Sequence, residues 1–307
     1  MLRDAPPSDE ALTGGPTGPA MASRLALGTV QFGIPYGVSN SGGQVPAALA
    51  ERILATAAEA GIDTLDTASA YGDSEAVLGA IGVARWKVVT KLPPLPPGTS
   101  DPTDWVMREV EASLQRLRVD RLAGLMLHRS GDLTGAAADS IHAAMIRLRD
   151  QGIVGRIGYS IYAPAELDAL FARYPADLVQ APLNVVDRRL DTSGWLRRLD
   201  EAGVEIHTRS AFLQGLLLMR PEARPPAFAR WNATFDAWDR AHQGQALATA
   251  LGFALSHGQV DRVIVGVTSP DELAEIVAAA RMSPQPVPAS LSSDDEDLVN
   301  PARWNSR

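Results

Sequence analysis

About eight times along this chain, a short apolar run gives way to a stretch of helical periodicity. The first run, residues 24–33, leads into a glycine-rich loop, and residues 46–60 follow with apolar positions at helical spacing. The later strand-like runs lie at 62–66, 86–91, 121–128, 152–160, 177–180, 204–208 and 262–266, and helical patterns separate them. Strands alternating with helices require a parallel sheet whose faces the helices cover. Eight such units in roughly 250 residues match a closed (β/α)8 barrel, an α/β fold of the TIM type. A doubly wound open sheet is the competing architecture. It would place Gly-x-Gly-x-x-Gly after the first strand, and neither that motif nor a P-loop occurs here. The series Gly152, Gly155, Gly158 reads instead as a helix end and a strand entry.

The 307 residues divide on this reading into a leader, a barrel and a tail. Residues 1–22 combine early charges, four prolines and no apolar h-region, so they predict a disordered leader rather than a signal peptide. Residues 23–282 hold the barrel, and 283–307 form a Pro/Ser/Asp-rich C-terminal tail. A net charge of −8 offers no basic footprint for nucleic acid. No apolar run reaches membrane-spanning length. Cysteine is absent, which removes disulfides, thiol nucleophiles and thiolate metal sites and suits a cytoplasmic protein. The histidines have no metal-ligand spacing, so no metal is expected. Oligomeric state has no signature in the sequence.

Chemistry concentrates in LDTASAYGDSE, residues 65–75, where a buried strand breaks into small polar residues before the next helix. Asp66 and Tyr71 therefore sit at the strand-to-helix end, where barrel enzymes collect their reactive groups. The next two strands end in Lys91 and His128. Every basic residue except Lys87 and Lys91 is arginine, so a lysine at the close of an apolar strand suggests a need for a compact, tunable ammonium. A phenol with a pKa near 10 is a poor acid at neutral pH, and a buried ammonium beside Tyr71 is expected to lower it. Asp66 would keep that ammonium charged, and a neutral His128 would orient a carbonyl oxygen. Each of the four also has a bland reading: a loop acid, a packing phenol, a solvated strand end, a satisfied core histidine.

These residues bring out a likeness. The segments LALGTVQFG, GIDTLDTASAYGDSEAVLG, VVTKL, LMLHRS, GRIGYS, LVQAPLN, RSAFLQGLL and VIVGVTSPDEL resemble the aldo-keto reductases, in family order across residues 25–280. The resemblance implies reversible hydride transfer between NADP(H) or NAD(H) and a small carbonyl/alcohol substrate, with Asp66, Tyr71, Lys91 and His128 as a catalytic tetrad. Two rivals remain: a cofactor-binding redox sensor or regulatory subunit with little turnover, and a Schiff-base barrel enzyme using Lys91. By the same resemblance, Ser160 and Gln180 match positions that bind the nicotinamide carboxamide, with Ile161 where an Asn is usual. Arg209 stands where a Tyr commonly stacks on the nicotinamide, and Gly28 and Thr29 suit close approach of backbone to cofactor. At the adenosine end, the segment 266–272 has no Lys or Arg where NADP-preferring relatives carry one. Glu272 there would repel a 2′-phosphate. Gly266, Thr268 and Ser269 offer amides and hydroxyls for phosphate or, equally, for helix capping. The choice between NADH and NADPH stays open. Val30, Phe32, Tyr36 and Arg129, with Trp231 and Trp238, lie on segments that could reach a substrate pocket.

Overall fold

The computed structural model describes residues 23–306. The leader expected over residues 1–22 lies outside the described residues. Eight parallel strands close into a (β/α)8 barrel in sequential order. They are β1 (Leu25–Gly28), β2 (Thr64–Asp66), β3 (Lys87–Leu92), β4 (Leu122–Leu127), β5 (Val154–Ser160), β6 (Leu178–Pro182), β7 (Glu205–Arg209) and β8 (Arg262–Gly266). The ring closes where β1 pairs with β8, from Leu25 opposite Val263 to Gly28 opposite Gly266. The outer helices are α1 (Ala47–Glu59), α2 (Ser74–Ile81), α3 (Pro102–Leu117), α4 (Ala138–Asp150), α5 (Ala165–Leu170) and α6 (Trp195–Glu201). They continue with α7 (Asn232–Ala241), α8 (Ala246–Ser256) and α9 (Pro270–Ala279).

Local chemistry sets these boundaries. Asp101 caps α3 by accepting from the Asp104 amide at 2.9 Å, and Pro102 opens the helix with its φ already helical. Strand β5 runs beside β6 so closely that a Cβ at Gly158 would lie 1.6 Å from the Leu178 carbonyl oxygen, so only glycine fits there. The main core lies between the barrel wall and its helices. Inside the barrel, Val89, Met126 and Leu178 fill the floor, packed as in other closed barrels rather than leaving a pore.

A second core covers the C-terminal rim of the barrel. Val185, Val186, Leu213, Leu216, Phe235 and Trp238 assemble there with Leu291, Leu298 and Val299 from the C-terminal segment. That segment is tied down by polar contacts as well. The Trp231 indole donates to Asp295 at 2.9 Å, and the Ser293 amide donates to the Val186 carbonyl at 2.8 Å. No helix among the described residues is long and apolar enough to cross a membrane.

Candidate active site

The polar residues of the 65–75 stretch build a rigid turn before they do anything else. The Thr67 amide donates to the Val89 carbonyl at 2.9 Å, and the Ser69 amide and hydroxyl both donate to the Lys91 carbonyl. Ser74 donates to the carbonyl oxygen of Thr29 at 2.8 Å, which ties the start of α2 to the end of β1. Gly72, at φ +54°, packs so tightly that a Cβ would lie 2.5 Å from the Gly33 oxygen. Glu75 is buried and held by Arg116 at 2.7 Å and Thr90 at 2.5 Å. Tyr71 is thereby fixed over the mouth of the barrel.

Beneath it lies a buried ion pair. The Lys91 ammonium donates to both Asp66 oxygens, at 2.7 and 2.8 Å, and to the Thr67 carbonyl at 3.0 Å. Gln180 reaches across the barrel and donates to Asp66 Oδ1 at 2.7 Å. Lys91 Nζ stands 5.2 Å from the centroid of the Tyr71 ring, over its face. The ring of His128 meets that of Tyr71 edge-on, with centroids 5.5 Å apart. Asp66, Tyr71, Lys91 and His128, predicted from three consecutive strand ends, thus converge on one point.

The electrostatics differ from the sequence-based expectation in one respect. Burial, reinforced by the Asp66 charge, pushes the Tyr71 phenol up from its ordinary value rather than down. Lys91 directs its protons at Asp66 and Thr67 rather than at the phenol. The positive charge that does pull Tyr71 downward is the guanidinium of Arg209. Burial, followed by the charges of Lys91 and Arg209, lowers His128 to about 4, so its imidazole is neutral at pH 7. Burial also lowers the Lys91 ammonium, with Asp66 opposing.

A cleft of about 590 Å³ opens above these residues, within the usual size for small-molecule sites. Asp66, Tyr71, Gln180 and Arg209 line its deep end, and Gly266, Thr268, Glu272 and Glu275 line the far end. Two loops roof it. The Val38 amide donates to the Gln214 carbonyl at 3.0 Å, and the Gln214 side chain donates to the Tyr36 hydroxyl at 2.9 Å. Ser210, Leu213 and Gln214 in the roof have φ of 63°, 48° and 52°, unusual for residues with side chains, and such strain gathers at functional sites. A second cavity of about 360 Å³ adjoins the first and shares Tyr36, Gly37 and Gln214 with it; Trp231 and Trp304 line it.

The remaining predicted residues separate by position. Gly28, Thr29, Val30 and Tyr36 line the cleft. Ser160 is buried in the barrel wall opposite Gln180 in register, behind the cleft surface. Phe32 does not reach the pocket: it is fully buried in the main core, because the turn after β1 directs it inward. Trp238 is likewise core, its indole donating to the Leu217 carbonyl at 2.8 Å. Arg129 is exposed on the rim after β4 and does not line the cleft. Ser269 caps α9 by accepting from the Glu272 amide at 3.1 Å. Glu272 returns the favour to Thr268, accepting from its amide at 2.6 Å and its hydroxyl at 2.9 Å. This reciprocal capping occupies the amide and hydroxyl of Thr268 that a phosphate would otherwise meet.

Sequence reasoning missed Gln31 and Tyr162. Gln31 is almost fully buried, lines the cleft, and leaves its Oε1 without a hydrogen-bond partner. A Cβ at Gly266 would lie 2.5 Å from the Gln31 amide nitrogen, so glycine is needed for this close packing. Tyr162 carries the Arg209 guanidinium on its ring face at 4.4 Å. Gln31 sits two residues beyond Thr29 in the glycine-flanked helical turn Val30–Gly33 that follows β1, a signal that was present; Tyr162 had none.

The cleft thus combines Gly28 and Gly266, the unpaired buried amide oxygen of Gln31 and the acids Glu272 and Glu275 along its lining. The barrel has relatives among known proteins. The sequence profile of the Aldo/keto reductase family matches residues 24–288. An aldo-keto reductase of Mycobacterium sp. (strain JLS) is 29% identical over 262 residues, covering 83% of this chain and 82% of that protein. The aflatoxin B1 aldehyde reductase member 2 of Rattus norvegicus is 26% identical over 328 residues, covering 91% and 84%. Among solved structures, the holo form of an aldo-keto reductase from Bacillus halodurans superposes with a TM-score of 0.72 at 22% identity, covering 91% of this chain and 95% of that one.

Proposed function

The chain belongs to the aldo/keto reductase family, and from that premise we propose that it reduces an aldehyde or ketone to the alcohol, reversibly, with Tyr71 as the proton donor and NADH as the favoured reductant. The observation that carries the reading is the convergence of a buried Lys91–Asp66 pair, the Tyr71 phenol and a neutral His128 at a cleft of about 590 Å³ that Asp66 and Tyr71 line. Gly28, Thr29, Gln31, Gln180 and Gly266 are the residues that would hold the cofactor, and a nicotinamide bound there supplies the hydride.

The chain's own residues handle the proton. Because burial raises Tyr71, the phenol keeps its proton at neutral pH and is a loaded donor. A carbonyl oxygen placed between Tyr71 and His128 would accept a hydrogen bond from each. As the oxygen gains alkoxide character, its basicity rises past that of the phenolate, and the Tyr71 proton moves across. The phenolate left behind lies beside Lys91 and within the field of Arg209, both cationic, and these stabilise it for as long as the charge lasts. Asp66, gripped by Lys91 and Gln180, prevents the ammonium from drifting.

Coenzyme choice follows from the far end of the cleft. Glu272 and Glu275 line it, and Glu272 already fills the amide and hydroxyl of Thr268. A 2′-phosphate there would meet negative charge, whereas ribose hydroxyls would find carboxylate acceptors.

Replacing Tyr71 by Phe tests the reading. Turnover of an aldehyde panel is expected to fall about 10²–10⁴-fold, the usual weight of a general acid. Dinucleotide affinity, followed by protein fluorescence, is expected to stay near wild type. A variant that keeps the wild-type rate would move the acid elsewhere. A wild-type protein that binds NADH but oxidises it with no aldehyde or ketone would favour a sensing role instead.

A further inference from the structure

Among the described residues, the charges at the reacting end of the cleft do not cancel. Asp66 is held by Lys91 and by Gln180, each at 2.7 Å. Arg209 closes β7, lines the same end half-buried, and has no carboxylate within ion-pair distance. Its guanidinium is nonetheless fixed in place. One face rests on the Tyr162 ring at 4.4 Å, one nitrogen donates to the Ile161 carbonyl at 3.0 Å, and another reaches the Ser210 hydroxyl at 3.4 Å. Ser210 is strained at φ 63° and anchored by Asn184, which donates to its carbonyl at 3.0 Å. Tyr162 does not line the cleft, so it backs the guanidinium, and the charge is what the cleft meets. The field of that charge reaches its neighbours, opposing protonation of His128 and favouring ionisation of Tyr71.

Chemistry decides what comes to lie beside this charge. Hydride transfer needs the donor carbon of a nicotinamide and the carbonyl carbon about 3–3.5 Å apart. The carbonyl oxygen belongs at Tyr71 and His128, so the ring belongs at the same end, among Asp66, Gln180 and Arg209. The cleft fits such a coenzyme, since buried Gln31 leaves its amide oxygen unpartnered in the lining. The two redox forms differ at the ring by one unit of charge: the reduced dihydropyridine is neutral and the oxidised pyridinium is cationic. Contacts to the phosphates and riboses, and the acids Glu272 and Glu275 at the far end, act on both forms alike.

We infer that Arg209 makes the cleft selective for the reduced coenzyme, its unpaired guanidinium accepting the neutral ring beside it and repelling the cationic one. The inference rests on the carbonyl-reductase reading, which supplies the place of the ring. It goes beyond that reading by giving Arg209 the choice between oxidation states. Two like charges a few ångströms apart in a partly desolvated site change a binding constant by about tenfold or more. The same charge favours the Tyr71 phenolate, so the two effects offset each other while the phenolate lasts. Once Tyr71 regains its proton only the repulsion remains, and Arg209 hastens release of the oxidised coenzyme.

The test is a comparison of dissociation constants for NADH and NAD⁺, read by protein fluorescence, in wild type, Arg209→Gln and Arg209→Lys. Glutamine keeps a planar hydrogen-bonding group without the charge, and lysine keeps the charge without the plane. Wild type is expected to bind NADH at least about tenfold more tightly than NAD⁺. In Arg209→Gln the ratio should fall toward one because NAD⁺ binds more tightly, a gain that loss of a merely structural residue would not produce. Arg209→Lys should keep most of the wild-type ratio. A wild-type ratio near one, an unchanged ratio in Arg209→Gln, or equal weakening of both forms in that variant would each overturn the inference. An aldehyde panel separates this from the reductase reading. Aldehyde-dependent oxidation of NADH with equal affinities would sink the inference and leave the reading standing. Selective binding of NADH that Arg209→Gln abolishes, with no aldehyde or ketone reduced, would do the reverse.

Discussion

Lys91 and Asp66 form the buried pair on which the site stands, each almost completely out of water. Removing one member of such a pair strands the other. Lys91→Met is therefore expected to lose about 3–5 kcal/mol of stability, visible as a lower thermal midpoint with activity lost as well. An unchanged midpoint would mean the pair is hydrated after all. His128 gives a pH dependence whose sign can be worked out. Its imidazole falls to about 4 in the folded protein, against an ordinary value near 6.5 when unfolded. Between these values the unfolded chain binds the extra proton, so acid favours unfolding. The stability this neutral imidazole contributes is fully present above about pH 6.5 and is lost as pH falls toward 4. Denaturant midpoints measured over that window should fall with pH, and less steeply in His128→Gln; identical slopes would remove His128 as a cause.

At the level of the single element, α9 carries the most information. Ser269, Pro270 and Glu272 give it the sequence of a capped helix, and the geometry uses them so. The same carboxylate faces the cleft, so one residue serves both helix and ligand. Glu272→Gln keeps an oxygen for Thr268 but removes the charge. It is expected to improve NADPH affinity on the order of tenfold with little change for NADH, checked by titrating each dinucleotide. No change in the ratio would show that Glu272 is only a cap. The loop after β7 is the contrasting element. The segment RSAFLQGLL carries no turn signature for the left-handed residues Ser210, Leu213 and Gln214; Asn184 holds the Ser210 carbonyl, the second core takes Leu213, and the loop after β1 holds Gln214.

For the whole molecule, the barrel alone does not finish the fold. The second core borrows Leu291, Leu298 and Val299 from beyond the last barrel helix, and these cover loops that roof the cleft. Leu298 is fully buried, so Leu298→Ala is expected to cost about 2–5 kcal/mol. A loss of less than about 1 kcal/mol in a denaturant titration would show that the C-terminal segment is loosely attached.

The eight-fold alternation, the strand ends at Asp66, Lys91 and His128, and the cap of α9 were legible because they are local: periodicity and capping depend on residues a few positions apart. The direction of the Tyr71 shift was not, since it turns on how deeply the closed barrel buries the phenol beside Asp66, and neither was the inward burial of Phe32 and Trp238. Nor could spacing reveal that Tyr162, from the loop after β5, would support a guanidinium from the end of β7. The order of strands and the strand ends that bring Asp66, Tyr71, Lys91 and His128 together were thus written in the chain itself. Which charges are neutralised, and which one is left facing the cleft, was decided only when closing the barrel brought distant residues within a few ångströms, where Coulomb and desolvation energies act.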